Sequence, residues 1–373
     1  MPPLVEPAFW RGRRVLVTGH TGFKGAWLTL WLHALGADVT GLADTVPTTP
    51  SLYELARIGE LAADVRADVR DHAAVVAAFA AHEPEVVVHM AAQSLVRRSF
   101  ADPRTTYETN VMGTVNVLEA VRATPSVRAV VNVTSDKCYD NRGQRRPFVE
   151  DDPKGGHDPY SSSKGCAELV ADAYVRSFLS AGGAHGDGPR LGSARAGNVI
   201  GGGDWGEDRL VADVMRGALA GEPIRVRNPE AVRPWQHVLN PLSGYLALAR
   251  ALHADAGHQG GWNFGPDLGD AQPVRRLVDR LTELWPQTLR WEVDAGPHPY
   301  EAGYLALDSA KARERLGWAP AWGLDEALAS IVDWYRALGA GEDMRAVTLA
   351  QIEAFAAAGV RPAARGPSAS SAG

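Results

Sequence analysis

Between Arg14 and about Ile200 the chain alternates short β-branched runs with longer helical patterns, and this rhythm limits the fold more than any other feature. RVLVT leads into a helix through Leu35. DVTGLA, a helix from Asp71, EVVVHMAA, a helix from Pro103, VRAVVNVTS, a helix from Pro159 and LGSARAGNVI follow in turn. Alternating strands and helices specify a parallel sheet with helices on both faces. The strands are nearly all apolar, as a sheet covered on both faces requires. The expected fold class is α/β, a doubly wound parallel sheet. After Gly201 the rhythm loosens into glycine, tryptophan and proline punctuation around short helices near Asp213, Arg275, Asp308 and Glu326, which marks a smaller C-terminal lobe. We expect residues 1–200, joined by about 235–265, to form the larger domain, residues 201–350 the lobe, and residues 361–373 a disordered tail. Ligands of such sheets bind beyond the carboxyl ends of the strands, so the residues just after each strand should hold the chemistry.

The first strand runs straight into TGHTGFKG, with Gly19, Gly22 and Gly25 spaced three apart around Phe23. Glycines at these positions permit a tight turn, close approach of backbone to a pyrophosphate and tight packing of helix on strand, while the helix N-terminus offers unpaired N–H groups. The turn therefore predicts a dinucleotide site. Asp44, one place beyond the second strand, is the candidate for the adenosine ribose, and Asp68 for the adenine amino group. No arginine follows the second strand until Arg57, which favours NAD over NADP. His89 and Ala91 follow the fourth strand and are expected beside the cofactor.

The fifth strand ends in Ser135, Asp136 and Lys137. The chain has five lysines (Lys24, Lys137, Lys154, Lys164, Lys311) among 38 basic residues, so a lysine beside an aspartate there is a chemical choice. PYSSSKGCAEL places Tyr160 and Lys164 four residues apart on one helical face. A phenol of ordinary pKa about 10 is a poor base at neutral pH, but a nearby ammonium favours the phenolate. Tyr160 with Lys164 thus makes a general base for an alcohol, with the Ser135 hydroxyl sharing the substrate oxygen.

The net charge of -6 provides no basic field for nucleic acid or anionic lipid, so an anionic ligand must be held by local groups. No stretch approaches the roughly 20 apolar residues of a membrane span. Two cysteines, Cys138 and Cys166, cannot build a disulfide framework or a metal cluster. A cytoplasmic protein without a bound metal is expected.

TGHTGFKG, Ser135 and YSSSK together resemble the extended short-chain dehydrogenase/reductase superfamily over about residues 14–340. TGHTGFKGAWL, TSDKCYDN, EDDPKGGHDPYSSSKGCAEL, RAGNVIGGGDWGEDRL and RPWQHVLNPLSGYLALA resemble, more closely, the CDP-glucose 4,6-dehydratases. The resemblance implies a Rossmann fold with a C-terminal sugar-nucleotide lobe, NAD kept through the cycle, and helical pairing into a homodimer or homotetramer. It implies further that Asn110 faces the site and supports the tyrosine and lysine, that Asn198, Arg209 and Arg233 meet the substrate diphosphate or sugar, and that HPYEAGYLALD, with His298 and Glu301, belongs to the substrate lobe. The implied reaction converts a CDP-sugar, CDP-D-glucose, to its 4-keto-6-deoxy product. Tyr160 takes the proton of the carbon-4 hydroxyl as NAD accepts hydride, Asp136 protonates the departing carbon-6 hydroxyl, and hydride returns to carbon 6. Where dTDP-glucose dehydratases carry a glutamate base, this chain has Lys137, acting either as a neutral amine or as a cation beside the enolate. A 4-epimerase or a dehydratase of another nucleotide sugar shares the fold, but epimerisation needs no second acid/base pair. A non-catalytic NAD(H)-sensing protein would have no need of Tyr160, Lys164 and Ser135 together.

Overall fold

Each apolar run of the first half becomes a strand of one sheet in the computed structural model, which describes residues 4–179, 188–296 and 304–359. In chain order the strands are β1 (Arg14–Thr18), β2 (Asp38–Ala43), β3 (Ala63–Arg66), β4 (Val86–His89), β5 (Ala129–Val133), β6 (Arg190–Arg195), β7 (Val199–Ile200), β8 (Ile224–Val226), β9 (Val232–Pro234), β10 (Gln236–His237), β11 (Gly260–Asn263), β12 (Ala271–Pro273) and β13 (Trp291–Val293). The central sheet has seven strands in the order β11-β6-β5-β4-β1-β2-β3. Every pairing in it is parallel. This is the doubly wound sheet the sequence predicts.

Alternation along each strand sends neighbouring side chains to opposite faces. Val15, Val17, Val86, Val88 and Val131 pack on one face with the helices Phe23–Ala34 and Leu239–Ala254. Leu16, Val87 and Val130 pack on the other with the helices His72–His82 and Gly113–Ala123 and with Ala171 of the helix Pro159–Tyr174. Because both faces are covered, continuous apolar runs fit where a half-exposed sheet would alternate. β11 and the helix before it complete the sheet from beyond residue 235.

The smaller elements lie over the carboxyl edge. β8 pairs with β13 and β9 with β12, alongside the helices Leu210–Ala220 and Val274–Leu284. Two details depart from the sequence reading. LGSARAGNVI is two strands, β6 and β7, because the chain leaves the sheet at Ala196–Asn198. A Cβ on Gly197 would stand 2.6 Å from Pro234 Cγ and 2.9 Å from Asp136 Oδ2, so this bend brings bare backbone against the acid. The helix from Pro103 is interrupted by a π-helical turn at Glu108–Met112, which carries Asn110. The tail 361–373 and His298 lie outside the described residues.

Candidate active site

The turn after β1 fits a dinucleotide on its own geometry. Gly19 has φ +74°, and a Cβ there would meet Ala91 backbone at 2.9 Å; on Gly25 it would lie 2.1 Å from Gly19 O. A Cβ on Gly22 would meet nothing nearer than Gly19 O at 3.4 Å, so among the described residues no side chain stands over the turn there. The helix Phe23–Ala34 then opens without a side-chain cap, leaving its first N–H groups for an anion.

Beyond β5, Ser135 Oγ donates to Asp136 Oδ1 at 2.9 Å and accepts from Lys137 N at 3.2 Å. The pair predicted from the helix is beside them. Ser135 hydrogen-bonds the Tyr160 phenol, and Lys164 Nζ donates to Val133 O at 3.2 Å. Asp136, Tyr160 and Lys164 are all buried. Among the described residues no donor reaches Asp136 Oδ2. Burial raises the Asp136 pKa, against the pull of the Lys137 ammonium, the Ser135 hydroxyl and Arg233. The shift is toward the protonated form, the direction an acid catalyst needs.

The phenol differs from expectation. Burial pushes Tyr160 up to about 12, while its hydrogen bond with Ser135 and the Arg209 guanidinium work the other way. The Lys164 ammonium is itself lowered to about 8 by burial, opposed by Glu168. Burial governs the phenol here, and the Lys164 ammonium goes to Val133 O, an arrangement that spacing alone does not reveal.

Arg209 and Arg233 come to the same groups from beyond β7. Arg209 donates to Asp204 at 2.9 Å and to Ser94 Oγ at 3.0 Å, and its charge acts on Tyr160. Arg233 is buried, donates to Val232 O at 3.0 Å, and acts on Asp136. Asn198 lies between β6 and β7, its carbonyl accepting from Gln236 N at 3.1 Å.

Other expected contacts fall elsewhere. His89 is not available to a ligand. Thr18 Oγ1 accepts from the N–H groups of Met90 and Ala91 at 3.0 and 3.1 Å, so its own proton goes to His89 Nδ1 at 2.7 Å. Thr114 Oγ1 donates to Asn110 O at 2.8 Å and therefore accepts from His89 Nε2 at 3.1 Å. Both ring nitrogens are used, and burial lowers the imidazole to about 3. Asn110 likewise holds structure and not substrate. Its amide exchanges hydrogen bonds with the Gln93 backbone at 2.8 and 3.0 Å and donates to Ser163 Oγ at 2.8 Å, which donates to Tyr160 O at 2.7 Å. It thus supports the tyrosine helix through the backbone.

Asp44 and Asp68 share one neighbour, the Arg70 guanidinium. Asp44 is exposed and accepts from Thr45 N at 2.7 Å. Asp68 pairs with Arg70 at 2.6 Å, and Asp44 and Glu108 also act on that guanidinium. A cavity of about 470 Å³ lies there, lined by Asp68, Arg70, Asp71, Glu108 and Met112. Asp71, by contrast, caps the helix His72–His82.

The sequence reading missed Lys24. It opens the helix after the glycine turn, donates to Tyr245 OH at 3.0 Å, and burial with help from Lys164 and Arg209 lowers it to about 7. Its signal was present in the scarcity of lysine that drew attention to Lys137.

A Rossmann sheet carrying this serine, tyrosine and lysine at its carboxyl edge defines a class, and the chain belongs to the NAD dependent epimerase/dehydratase family, which matches residues 15–265. It is 49% identical over 359 residues to the CDP-glucose 4,6-dehydratase of Salmonella typhimurium, covering 96% of this chain and 100% of that protein. Identity to the dTDP-glucose 4,6-dehydratase of Xanthomonas campestris pv. campestris is 30% over 343 residues, 86% of this chain and 92% of that one. The crystal structure of the dTDP-glucose 4,6-dehydratase of Streptomyces venezuelae, with NAD bound, superposes with a TM-score of 0.73 at 25% identity, covering 89% of this chain and 99% of that chain.

Proposed function

We propose that the protein is an NAD-dependent hydro-lyase that converts CDP-D-glucose to CDP-4-dehydro-6-deoxy-D-glucose. The observation that carries the reading is the second acid/base pair. Asp136, buried with an unpartnered oxygen and a raised pKa, stands next to Lys137 and within the field of Tyr160. A 4-epimerase has no use for it.

NAD, when bound over the glycine turn, supplies the acceptor for hydride from sugar carbon 4 and returns it to carbon 6. Tyr160 removes the carbon-4 hydroxyl proton, with Ser135 fixing the shared oxygen. The ketone acidifies the hydrogen on carbon 5. Asp136 then gives its proton to the leaving carbon-6 hydroxyl, which departs as water, while Lys137 as a neutral amine takes the carbon-5 proton and returns it to carbon 5 when hydride adds to carbon 6. Arg209 and Arg233 hold the diphosphate with charge-assisted forks. Gly19, Gly22, Phe23 and Gly25 cradle the dinucleotide, Ala91 borders it, and Asp44 and Asp68 serve its adenosine end. The choice of cytidine is supported by the 49% identity to the Salmonella enzyme against 30% to the dTDP-glucose enzyme.

Pairing into a dimer through the helices around residues 96–123 and 159–179 fits the apolar side chains exposed there, among them Phe100 (50%), Met112 (51%) and Leu169 (60%). Among the described residues no helix is long and apolar enough to cross a membrane, and free Cys138 and Cys166 accord with a reducing cytoplasm. A panel of CDP-, dTDP-, GDP- and UDP-glucose assayed for water loss by mass tests the reading. Water loss from CDP-glucose above the others is expected. Preference for another nucleotide would overturn the substrate, and no water loss from any would overturn the reaction.

A further inference from the structure

One ion pair below the cleft touches both flanks of the catalytic turn. Glu168 lies four residues beyond Lys164 on the same helix, and Arg195 ends β6; their side chains are 5% and 4% exposed. Arg195 Nε and Nη2 donate to the two carboxylate oxygens at 2.9 and 2.6 Å. Each group also reaches one end of the turn. Glu168 Oε1 also accepts from Thr134 Oγ1, and Thr134 immediately precedes Ser135. Arg195 Nη1 donates to Tyr139 OH at 2.7 Å and to Glu150 O at 2.9 Å, and Tyr139 stands two places after Lys137. The Tyr139 hydroxyl donates onward to Asn263 Oδ1 at 2.7 Å. β11 is cut away to admit the guanidinium, for a Cβ on Gly261 would lie 2.1 Å from Arg195 Nη2.

We propose that the Glu168–Arg195 pair is a clamp, which grips the turn Ser135–Asp136–Lys137 at both ends and fixes its placement against the helix bearing Tyr160 and Lys164. A buried ion pair adds little net stability compared with apolar residues of the same volume. Stability alone therefore gives weak reason for an acid, an arginine and a bare glycine on three separate elements. Placement gives a strong one, since displacements of about 1 Å change rates up to roughly 100-fold. Thr134, Tyr139, Glu168 and Arg195 are positioning residues, because none of them touches reacting atoms. The upstream grip governs Ser135 and with it oxidation at carbon 4. The downstream grip governs Asp136 and Lys137 and with them the loss of water. This division rests on the function proposed above.

Tyr139→Phe removes the hydroxyl alone, because the ring stays stacked on Phe148 with centroids 4.7 Å apart. In single turnovers with CDP-glucose, its reduced-cofactor absorbance should rise at the wild-type rate while water loss slows about 10- to 100-fold, with the steady-state KM unchanged. Thr134→Val should instead slow the rise itself, and Thr134→Ser, which keeps the hydroxyl, should restore it. Wild-type rates in both variants, or equal slowing of both steps in each, would overturn the clamp. Should Tyr139→Phe not fold, the contrast of Val with Ser at position 134 decides alone. Failure of the parent reading is seen separately, as absence of water loss in the unaltered enzyme.

Discussion

At Asp136 function and stability oppose one another. Its carboxyl is buried with an unpartnered oxygen, and its folded pKa lies above the ordinary 3.8. The ionised group therefore destabilises the fold at pH above the folded pKa, and that penalty disappears as pH falls through the folded pKa toward 3.8. Asp136→Asn should lower turnover about 10²- to 10⁴-fold. It should also raise stability by about 1 kcal/mol at neutral pH, with the gain vanishing in acid. Denaturation curves against pH check this, and an equal gain at all pH values would contradict it. Tyr160→Phe should reduce turnover by a similar 10²- to 10⁴-fold, roughly, with melting temperature and calorimetric NAD affinity retained. Residue types and spacings made Ser135, Asp136, Tyr160 and Lys164 legible in the sequence. His89 was misread, because a polar residue ending a strand looks the same whether it faces a cleft or is consumed by Thr18 and Thr114. Lys24 was overlooked because its partner, Tyr245, lies 221 residues away.

The elements repeat this contrast. Strands were readable because a sheet covered on both faces demands apolar runs, and the glycine turn because three positions tolerate no side chain or keep clear of one. The π-helical turn at Glu108–Met112 was not readable, since one extra residue per turn leaves no distinct periodicity. Neither was the break between β6 and β7, which answers to Pro234 and Asp136 far along the chain. Gly25→Ala tests the turn. Its Cβ would be placed 2.1 Å from Gly19 O, so the turn must open. A stability loss of about 1–3 kcal/mol is expected, together with weaker NAD binding by calorimetry. Gly269→Ala, with nothing within 4 Å of its Cβ, is the control and should change neither.

At the scale of the whole molecule, the sheet edge brings Ser135 and Asp136 from one crossing beside Tyr160 from another, and Arg209 and Arg233, from beyond β7, act on Tyr160 and Asp136. The proposed pairing uses the exposed apolar side chains on the two helical segments, so under it Leu169→Glu should turn a dimer into a monomer in sedimentation at micromolar concentration. A dimer that persists would place the interface elsewhere. The central claim, that one cleft oxidises carbon 4 and eliminates water from carbons 5 and 6 before hydride returns, is tested most directly by CDP-glucose deuterated at carbon 4. The label should reappear on carbon 6 of a product lighter by one water, with no net change in NAD. Label retained on carbon 4 of an epimer, or accumulated in free NADH, would contradict the account.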